Sequence, residues 1–319
     1  MRVLITGCAG FIGYHLSIKL LQEKNIKIVG IDNLNDYYST KLKKLRLAKL
    51  KESKNFEFLK SDLSNPHVLN KLINKNFDCV IHLAAQAGVR YSLLNQHSYI
   101  SSNILGFFHV IDFIKKEKIK NFIYASSSSI YGDREHEYVQ EEIADLSSRS
   151  IYAATKLSNE LLANAYFHQF GINSIGLRFF TVYGDYGRPD MAYFIFTKAI
   201  DLKEKFQLFN NGEMSRDMTH VDDVVDSILQ LIKLKPKGYQ IFNVGGGCPV
   251  KTSELVSIIE KSLGKKANYE NVEFKNEILR TSADSAKLNQ AINKKSYIDI
   301  NLGMKRFIKW YLNNRDNIY

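Results

Sequence analysis

Tyr152 and Lys156 lie four residues apart in Ser150-Ile-Tyr-Ala-Ala-Thr-Lys156. On a helix that spacing puts both side chains on one face, about one turn apart. A nearby ammonium favours the charged form of a phenol and lowers its pKa, so such a pair can transfer a proton near neutral pH. The same spacing arises by chance as a half-buried tyrosine beside a solvated lysine, and the pair therefore needs partners. Ser126-Ser127-Ser128-Ser129 offers hydroxyls. It follows the apolar run Phe122–Ala125, and Ser127 stands 25 residues before Tyr152. A loop directly after a buried strand is where catalytic groups collect. Tyr152, Lys156 and Ser127 are the candidate catalytic residues.

A cofactor site is written at the other end of the chain. Gly7, Gly10 and Gly13 separate the short apolar strand Arg2–Thr6 from the amphipathic segment Tyr14–Glu23, and a second apolar strand, Ile26–Ile31, ends at Asp32. Strand, Gly-rich turn, helix, strand and acid, in that order, form a dinucleotide-binding signature. One glycine permits the tight turn, one lets phosphates approach the backbone, and one lets helix and strand pack closely. The helix N-terminus then offers free N–H groups and a positive dipole end to a pyrophosphate. Asp32, 19 residues beyond Gly13, can accept from both ribose hydroxyls and disfavours a 2′-phosphate, which selects NAD over NADP. The small residues after Leu83, Ala84 and Ala85, suit a backbone passing over a cofactor. The candidate cofactor residues are thus Gly7, Gly10, Phe11, Ile12, Gly13, Asp32, Asn33, Leu83, Ala84 and Ala85, with Tyr152 and Lys156.

These residues need a scaffold, and alternating strands and helices provide one. Further strands are predicted at Phe56–Lys60, Cys79–Leu83, Phe122–Ala125 and Ile172–Phe180, with helices at 97–117, which contains Asn103, and at Tyr152–Gly171. The fold class is α/β: a Rossmann-type doubly wound parallel sheet with a smaller C-terminal α+β substrate-binding domain. Asp62, after the third strand, also suits a helix cap before Pro66. Beyond residue 180 the rhythm weakens. Thr181–Asp190 reads as loop, Met191–Leu202 as helix, Phe206–Phe209 as a short strand, and 210–223 as polar and turn-rich. Helix Val221–Leu234 and strand Tyr239–Val244 follow, then helices near 252–263, 284–291 and 301–314. The expected division is 1–180 with about 221–248 for the dinucleotide, and 181–220 with 249–319 for the substrate.

Length and composition agree with a folded enzyme. The 319 residues suffice for a sizeable core, and 45% hydrophobic residues fit a globular chain. No apolar run is long enough for a membrane span, and the N-terminus lacks the three-part signal-peptide pattern. Cys8, Cys79 and Cys248 show no metal-ligand spacing, so no metal is expected, and buried reduced thiols suit a cytoplasmic setting. The net charge of +11 is spread mostly as single lysines. The one dense run, 41–51, reads as a surface helix with a solvated basic face. It lacks interleaved aromatics and any recognition motif, which argues against nucleic acid.

Four longer blocks carry a family resemblance. Ile31-Asp-Asn-Leu-Asn-Asp-Tyr-Tyr38, His82-Leu-Ala-Ala-Gln-Ala-Gly-Val-Arg-Tyr-Ser92, Tyr124-Ala-Ser-Ser-Ser-Ser-Ile-Tyr-Gly132 and Leu177-Arg-Phe-Phe-Thr-Val-Tyr-Gly184 resemble UDP-glucuronate 4-epimerases, within the extended short-chain dehydrogenase/reductase family. Gly187-Arg-Pro-Asp-Met-Ala192 does so too, and the likeness covers nearly the whole chain. It implies that Asp62 and Leu63 contact adenine, that Tyr152 as phenolate takes the C4 hydroxyl proton of a UDP-sugar, and that Lys156 keeps its pKa low. Ser127 would hold the same sugar oxygen, while the C4 hydride passes to NAD and returns to the other face. Arg216 would pair with the UDP diphosphate. Ser128, Ser129, Thr181, Arg188 and Arg90 would restrain the sugar carboxylate, because a 4-keto glucuronate is a β-keto acid that readily loses CO₂. Related dehydratases and decarboxylases carry carboxylates where Ser128 and Ser129 stand, so simple C4 inversion is expected. The alternatives are a 4-epimerase of UDP-glucose or UDP-N-acetylglucosamine, and a non-catalytic NAD-binding protein. The family's Pro-Gly before Thr281-x-Ala-Asp284 is missing from 275–277. A homodimer through the helices at 97–117 and 152–170, and a place in polysaccharide biosynthesis, are further implications.

Overall fold

Short runs such as Val-Leu-Ile at 3–5 and Cys-Val-Ile at 79–81 become central parallel strands because both faces of each are buried. The computed structural model describes residues 1–132, 138–142, 148–235, 237–273 and 278–318. In chain order it begins β1 (Arg2–Thr6), α1 (Phe11–Gln22), β2 (Lys27–Asp32), α2 (Thr40–Lys51), β3 (Phe56–Lys60) and β4 (Cys79–His82). Then come α3 (Gln96–Tyr99), α4 (Gly106–Lys116), β5 (Phe122–Ser127), α5 (Ile151–Phe170), β6 (Ser174–Phe179), β7 (Thr181–Tyr183) and α6 (Ala192–Leu202). The chain ends with β8 (Lys205–Phe209), β9 (Ser215–His220), α7 (Val221–Leu234), β10 (Tyr239–Val244), β11 (Pro249–Lys251), α8 (Thr252–Leu263), β12 (Asn268–Val272), α9 (Ala286–Ile292) and α10 (Ile300–Ile318).

The large sheet runs β10-β6-β5-β4-β1-β2-β3 and all its pairings are parallel. Strand side chains alternate between two cores, as a period of two requires. Val3, Ile5, Ile81 and Ile123 meet α1 and α7 through Leu16, Leu20, Val224 and Ile228. Leu4, Val80, Phe122 and Tyr124 meet α4 and α5 through Phe107, Val110, Ile111 and Ala163. Strand order reverses between β1 and β4, which opens a crevice at their carboxyl ends. A third, aromatic core gathers Phe194, Phe196, Phe206, Phe307 and Trp310 among α6, α8, α10 and β8. It lies against a three-stranded sheet, β11-β9-β7, and a two-stranded one, β12-β8.

Several expectations need correction. The helix foreseen at 97–117 is broken: a π-helical stretch, Ile100–Leu105, separates α3 from α4. Inside it Asn103 is buried, accepts from the Gln86 amide at 2.7 Å and donates to Thr155 Oγ1 at 3.0 Å. Tertiary hydrogen bonds thus outweigh local helical regularity. Residues 181–183 are a strand rather than loop, and 215–220 are a strand inside the stretch read as turns. Their pairing buries Met218, Thr219 and His220 despite the polar composition. The basic face of α2 is not wholly solvated, since Lys43 and Arg46 are buried.

Below α5 lies a buried polar network. Arg178 on β6 grips Glu160 on α5 through Nε–Oε1 at 2.9 Å and Nη2–Oε2 at 2.7 Å, and its Nη1 donates to Tyr131 Oη and to the Glu141 carbonyl. Tyr131 and the Val139 carbonyl both bond Asn243 on β10. Breaking a buried ion pair from one side strands the other charge. Arg178→Met is expected to lower stability by about 3–5 kcal/mol in urea unfolding, with most of the loss restored in Arg178→Met/Glu160→Leu. Equal losses in the single and double variants would show that the pair does not hold α5.

Candidate active site

The crevice between β1 and β4 carries the Gly-rich turn on one wall. Gly7 has φ +72°, and a Cβ there would lie 2.7 Å from the Ala84 nitrogen and 2.8 Å from the Leu83 carbonyl carbon. A Cβ on Gly13 would lie 2.1 Å from the Gly7 oxygen, so helix and turn pack at a distance only glycine allows. α1 starts at Phe11 without a side-chain cap or an acid in its first turn. Its first N–H groups therefore face the cleft, which Gly10, Phe11, Ile12 and Gly13 line. At the end of β2, Asp32 accepts from the Ala9 and Leu34 amides at 3.0 and 2.8 Å. Burial pushes its carboxyl up, opposed by those amides and by the charges of Lys43 and Arg46. Just beyond the neighbouring strand β3, burial also pushes Asp62 up, but hydrogen bonds from Asn33 and Ser64 outweigh it and hold the carboxyl below its ordinary value. Asn33, Leu63, Leu83, Ala84 and Ala85 complete this wall. Glycine backbone for a pyrophosphate and carboxylates for ribose and adenine fit a dinucleotide, with Asp32 favouring NAD.

Of the catalytic candidates, Ser127 and Tyr152 line the same cleft, and Lys156 lies one helical turn on from Tyr152 without lining it. Ser150 starts α5 by accepting from the Ala153 amide at 3.0 Å, which sets Tyr152 and Lys156 in the first two turns. Lys156 is buried and its Nζ donates to the Ala125 carbonyl at 2.9 Å. Burial lowers its pKa to about 8, against the opposing charge of Glu160. The Tyr152 ring lies edge-on to Tyr99 at 6.1 Å, with the Lys156 ammonium 5.9 Å from its centroid. Burial pushes the Tyr152 phenol up, while a hydrogen bond with Ser127 and the charge of Arg188 pull it back. Ser127 closes β5, with its Oγ 3.1 Å from Ser129 Oγ and accepting from the Ser129 amide at 3.2 Å.

Of the residues expected at a sugar, Arg188 lines the cleft with Ser127 and Tyr152. It is paired with Asp190, Nε–Oδ1 at 3.0 Å, and Asp190 also accepts from Tyr37 Oη at 2.9 Å. The other candidates are not among the residues lining the cleft. Ser128 and Ser129 form a short 3₁₀ turn after β5, and Thr181 opens β7. Arg90 lies 4.8 Å over the Phe209 ring. Arg216, on β9, donates to the Ser215 carbonyl at 3.0 Å. The altered segment 275–277 is outside the described residues. Among those described, no cluster of His, Cys, Asp and Glu could hold a metal.

Sequence reasoning missed Lys43, which also lines the cleft and donates to the Asn35 carbonyl at 2.6 Å. Burial lowers its pKa to about 8. The i, i+3 spacing of Lys43 and Arg46, shared with Leu50 a turn later, was the available signal. Tyr37 and Asn103 carried none beyond residue type.

Residues 3–245 match the NAD dependent epimerase/dehydratase family. An uncharacterized protein of Methanocaldococcus jannaschii is 46% identical over 319 residues, covering 99% of this chain and 97% of that one. UDP-glucuronate 4-epimerase of Thermodesulfobacterium geofontis is 40% identical over 314 residues, covering 98% and 96%. The crystal structure of UDP-glucuronic acid 4-epimerase from Bacillus cereus, in complex with UDP-glucuronic acid and NAD, is similar with a TM-score of 0.92 and 30% identity, covering 98% of this chain and 99% of that one.

Ser127 and Arg188 both stabilise the Tyr152 phenolate, so removing either raises the phenol pKa. Ser127→Ala and Arg188→Ala are each expected to move phenolate formation to higher pH, read by ultraviolet difference titration against Tyr152→Phe. A downward move in either variant would reverse the electrostatic assignment.

Proposed function

The chain belongs to the NAD dependent epimerase/dehydratase family, and on that premise we propose that it inverts C4 of UDP-glucuronate to give UDP-galacturonate through a transient 4-keto sugar. The observation that carries this reading is a proton-transfer tyrosine flanked by a serine hydroxyl and a guanidinium, with serines at 128 and 129 where a C5 chemistry would need a carboxylate. The Gly-rich turn, Asp32 and Asp62 would hold NAD, which when bound would supply a hydride acceptor and donor for the sugar C4. Tyr152 accepts the O4 proton and returns it. Ser127 bonds the same oxygen and keeps the phenolate accessible. Lys156, seated on the Ala125 carbonyl, would bond the nicotinamide ribose. Arg188 meets the sugar carboxylate, with Ser128, Ser129, Thr181 and Arg90 completing its restraint, and Arg216 pairs with the diphosphate. The division of labour is 1–180 with about 221–248 for NAD, and 181–220 with 249–319 for the UDP-sugar.

One observation favours the alternative. Asp190 already neutralises Arg188, which would suit UDP-glucose or UDP-N-acetylglucosamine. Incubating the protein with each of the three sugars and following the C4 proton by NMR separates the readings. Inversion of UDP-glucuronate is expected, and inversion of neutral sugars alone would sink the acidic-sugar reading. Tyr152→Phe is expected to cut turnover by roughly 10²–10⁴.

The protein is further proposed to act as a homodimer in the cytoplasm. No helix among the described residues is long and apolar enough to cross a membrane. Ile100, Leu105 and Phe108, with Leu161 on α5, leave apolar side chains exposed on adjoining helices. A second copy placing the same helices against them would bury this face around a two-fold axis. Light scattering is expected to give twice the chain mass, and Phe108→Glu/Leu161→Glu to give a monomer. A monomeric parent protein would remove the dimer.

A further inference from the structure

Arg46, on α2, is completely buried, yet no carboxylate among the described residues makes an ion pair with it. Asp32 feels its charge without bonding it. A guanidinium has five N–H donors, and all five are used. Nη1 donates to the Ala9 carbonyl at 2.9 Å and to Tyr38 Oη at 2.7 Å. Nε donates to the Tyr186 carbonyl at 3.1 Å, and Nη2 to the carbonyls of Tyr186 and Gly187 at 2.6 and 3.1 Å. Burying a cation against neutral acceptors is costly, and an apolar side chain of the same bulk would fill the space more cheaply. The cation is therefore justified by what it joins.

Ala9 is inside the Gly-rich turn, Tyr38 lines the cleft, and Tyr186 and Gly187 immediately precede Arg188. Tyr186 has φ +52°, a conformation that L side chains adopt only where the surroundings enforce it. Its carbonyl takes two of the five donors. At Gly187 a Cβ would lie 1.8 Å from Tyr193 Oη and 2.8 Å from the Gly184 oxygen, so the turn is packed too closely there for any side chain. On the far flank, Tyr37 holds Asp190, the partner of Arg188. The segment from Tyr37 to Arg46 thus grips the Arg188 turn from both sides.

We propose that Arg46 is a positioning residue, which fixes the strained 186–187 turn against the Gly-rich turn and so sets Arg188 at the sugar end of the cleft. The proposal deepens the acidic-sugar reading and rests on it. Selectivity for a carboxylated sugar would depend on a side chain that faces neither sugar nor solvent.

The test measures kcat/KM on UDP-glucuronate and UDP-glucose for Arg46→Lys, Arg188→Ala and the double variant, with the melting temperature of each. Arg46→Lys keeps the charge but cannot reach all the acceptors. It is expected to reduce the preference for UDP-glucuronate roughly tenfold, the scale of a small misplacement, and to add nothing to Arg188→Ala. Equal losses on both sugars, or an additive double variant, would overturn the proposal and leave Arg46 a purely structural residue. Should Arg46→Lys fail to fold, Tyr38→Phe removes one acceptor and is read the same way. If Arg188→Ala itself does not distinguish the sugars, the acidic-sugar reading falls and Arg46 is judged on Tyr152 alone. A rise in the Tyr152 pKa in Arg46→Lys matching that in Arg188→Ala would then support positioning, and no rise would overturn it.

Discussion

A positive charge taken out of water must find acceptors, and three such charges organise this molecule. Arg178 finds a carboxylate, Glu160, and ties β6 to α5. Lys156 finds only a strand carbonyl, at Ala125, and ties α5 to β5. Arg46 finds carbonyls and one hydroxyl, and ties α2 to the turns at Ala9 and Tyr186. Each of these acceptors is a point of backbone, the buried Glu160 side chain or the half-buried Tyr38 hydroxyl. The cleft inherits its geometry from them, because Tyr152 is one helical turn from Lys156, while Arg188 and the Gly-rich turn adjoin or contain the carbonyls that hold Arg46.

The proposed proton-transfer site shows the same logic in reverse. In that role Tyr152 has to lose a proton, and burial opposes the loss. The opposing help comes from Ser127 and Arg188, which arrive from different strands and loops. Lys156, expected to keep the phenol pKa low, is not among the groups that pull it down and is itself depressed by burial. The proximity of two side chains on a helix therefore decides less than what surrounds them.

Much of the N-terminal half was legible because its signals are periodic. Apolar runs such as 79–81 and 122–124 become strands, and Gly7, Gly10, Gly13 and Asp32 occupy the positions their spacing implies. The C-terminal half was less so. The pairing of β7 with β9 buries Met218, Thr219 and His220, which composition does not announce. The break at Ile100–Leu105 depends on what Asn103 meets across space, at Gln86 and Thr155. The Lys-rich 41–51 run looked solvated because average charge hides the two positions, Lys43 and Arg46, that turn inward. In the candidate site, the grouping of Tyr152 and Ser127 could be read from the chain, whereas the tie of the Arg188–Asp190 pair to Tyr37 could not, since it joins segments about 150 residues apart.

The path of the chain between the cores limits what the cleft can do. It leaves the large sheet after β6, returns at α7, leaves again after β10, comes back for α9 and departs for α10. Two bodies joined by one strand can swing like a clamshell; here every crossing would have to bend at once. For the proposed reaction, which offers both faces of one carbon to the same fixed partner, the smaller motion is that of the guest, whose ring pivots between walls that need not part.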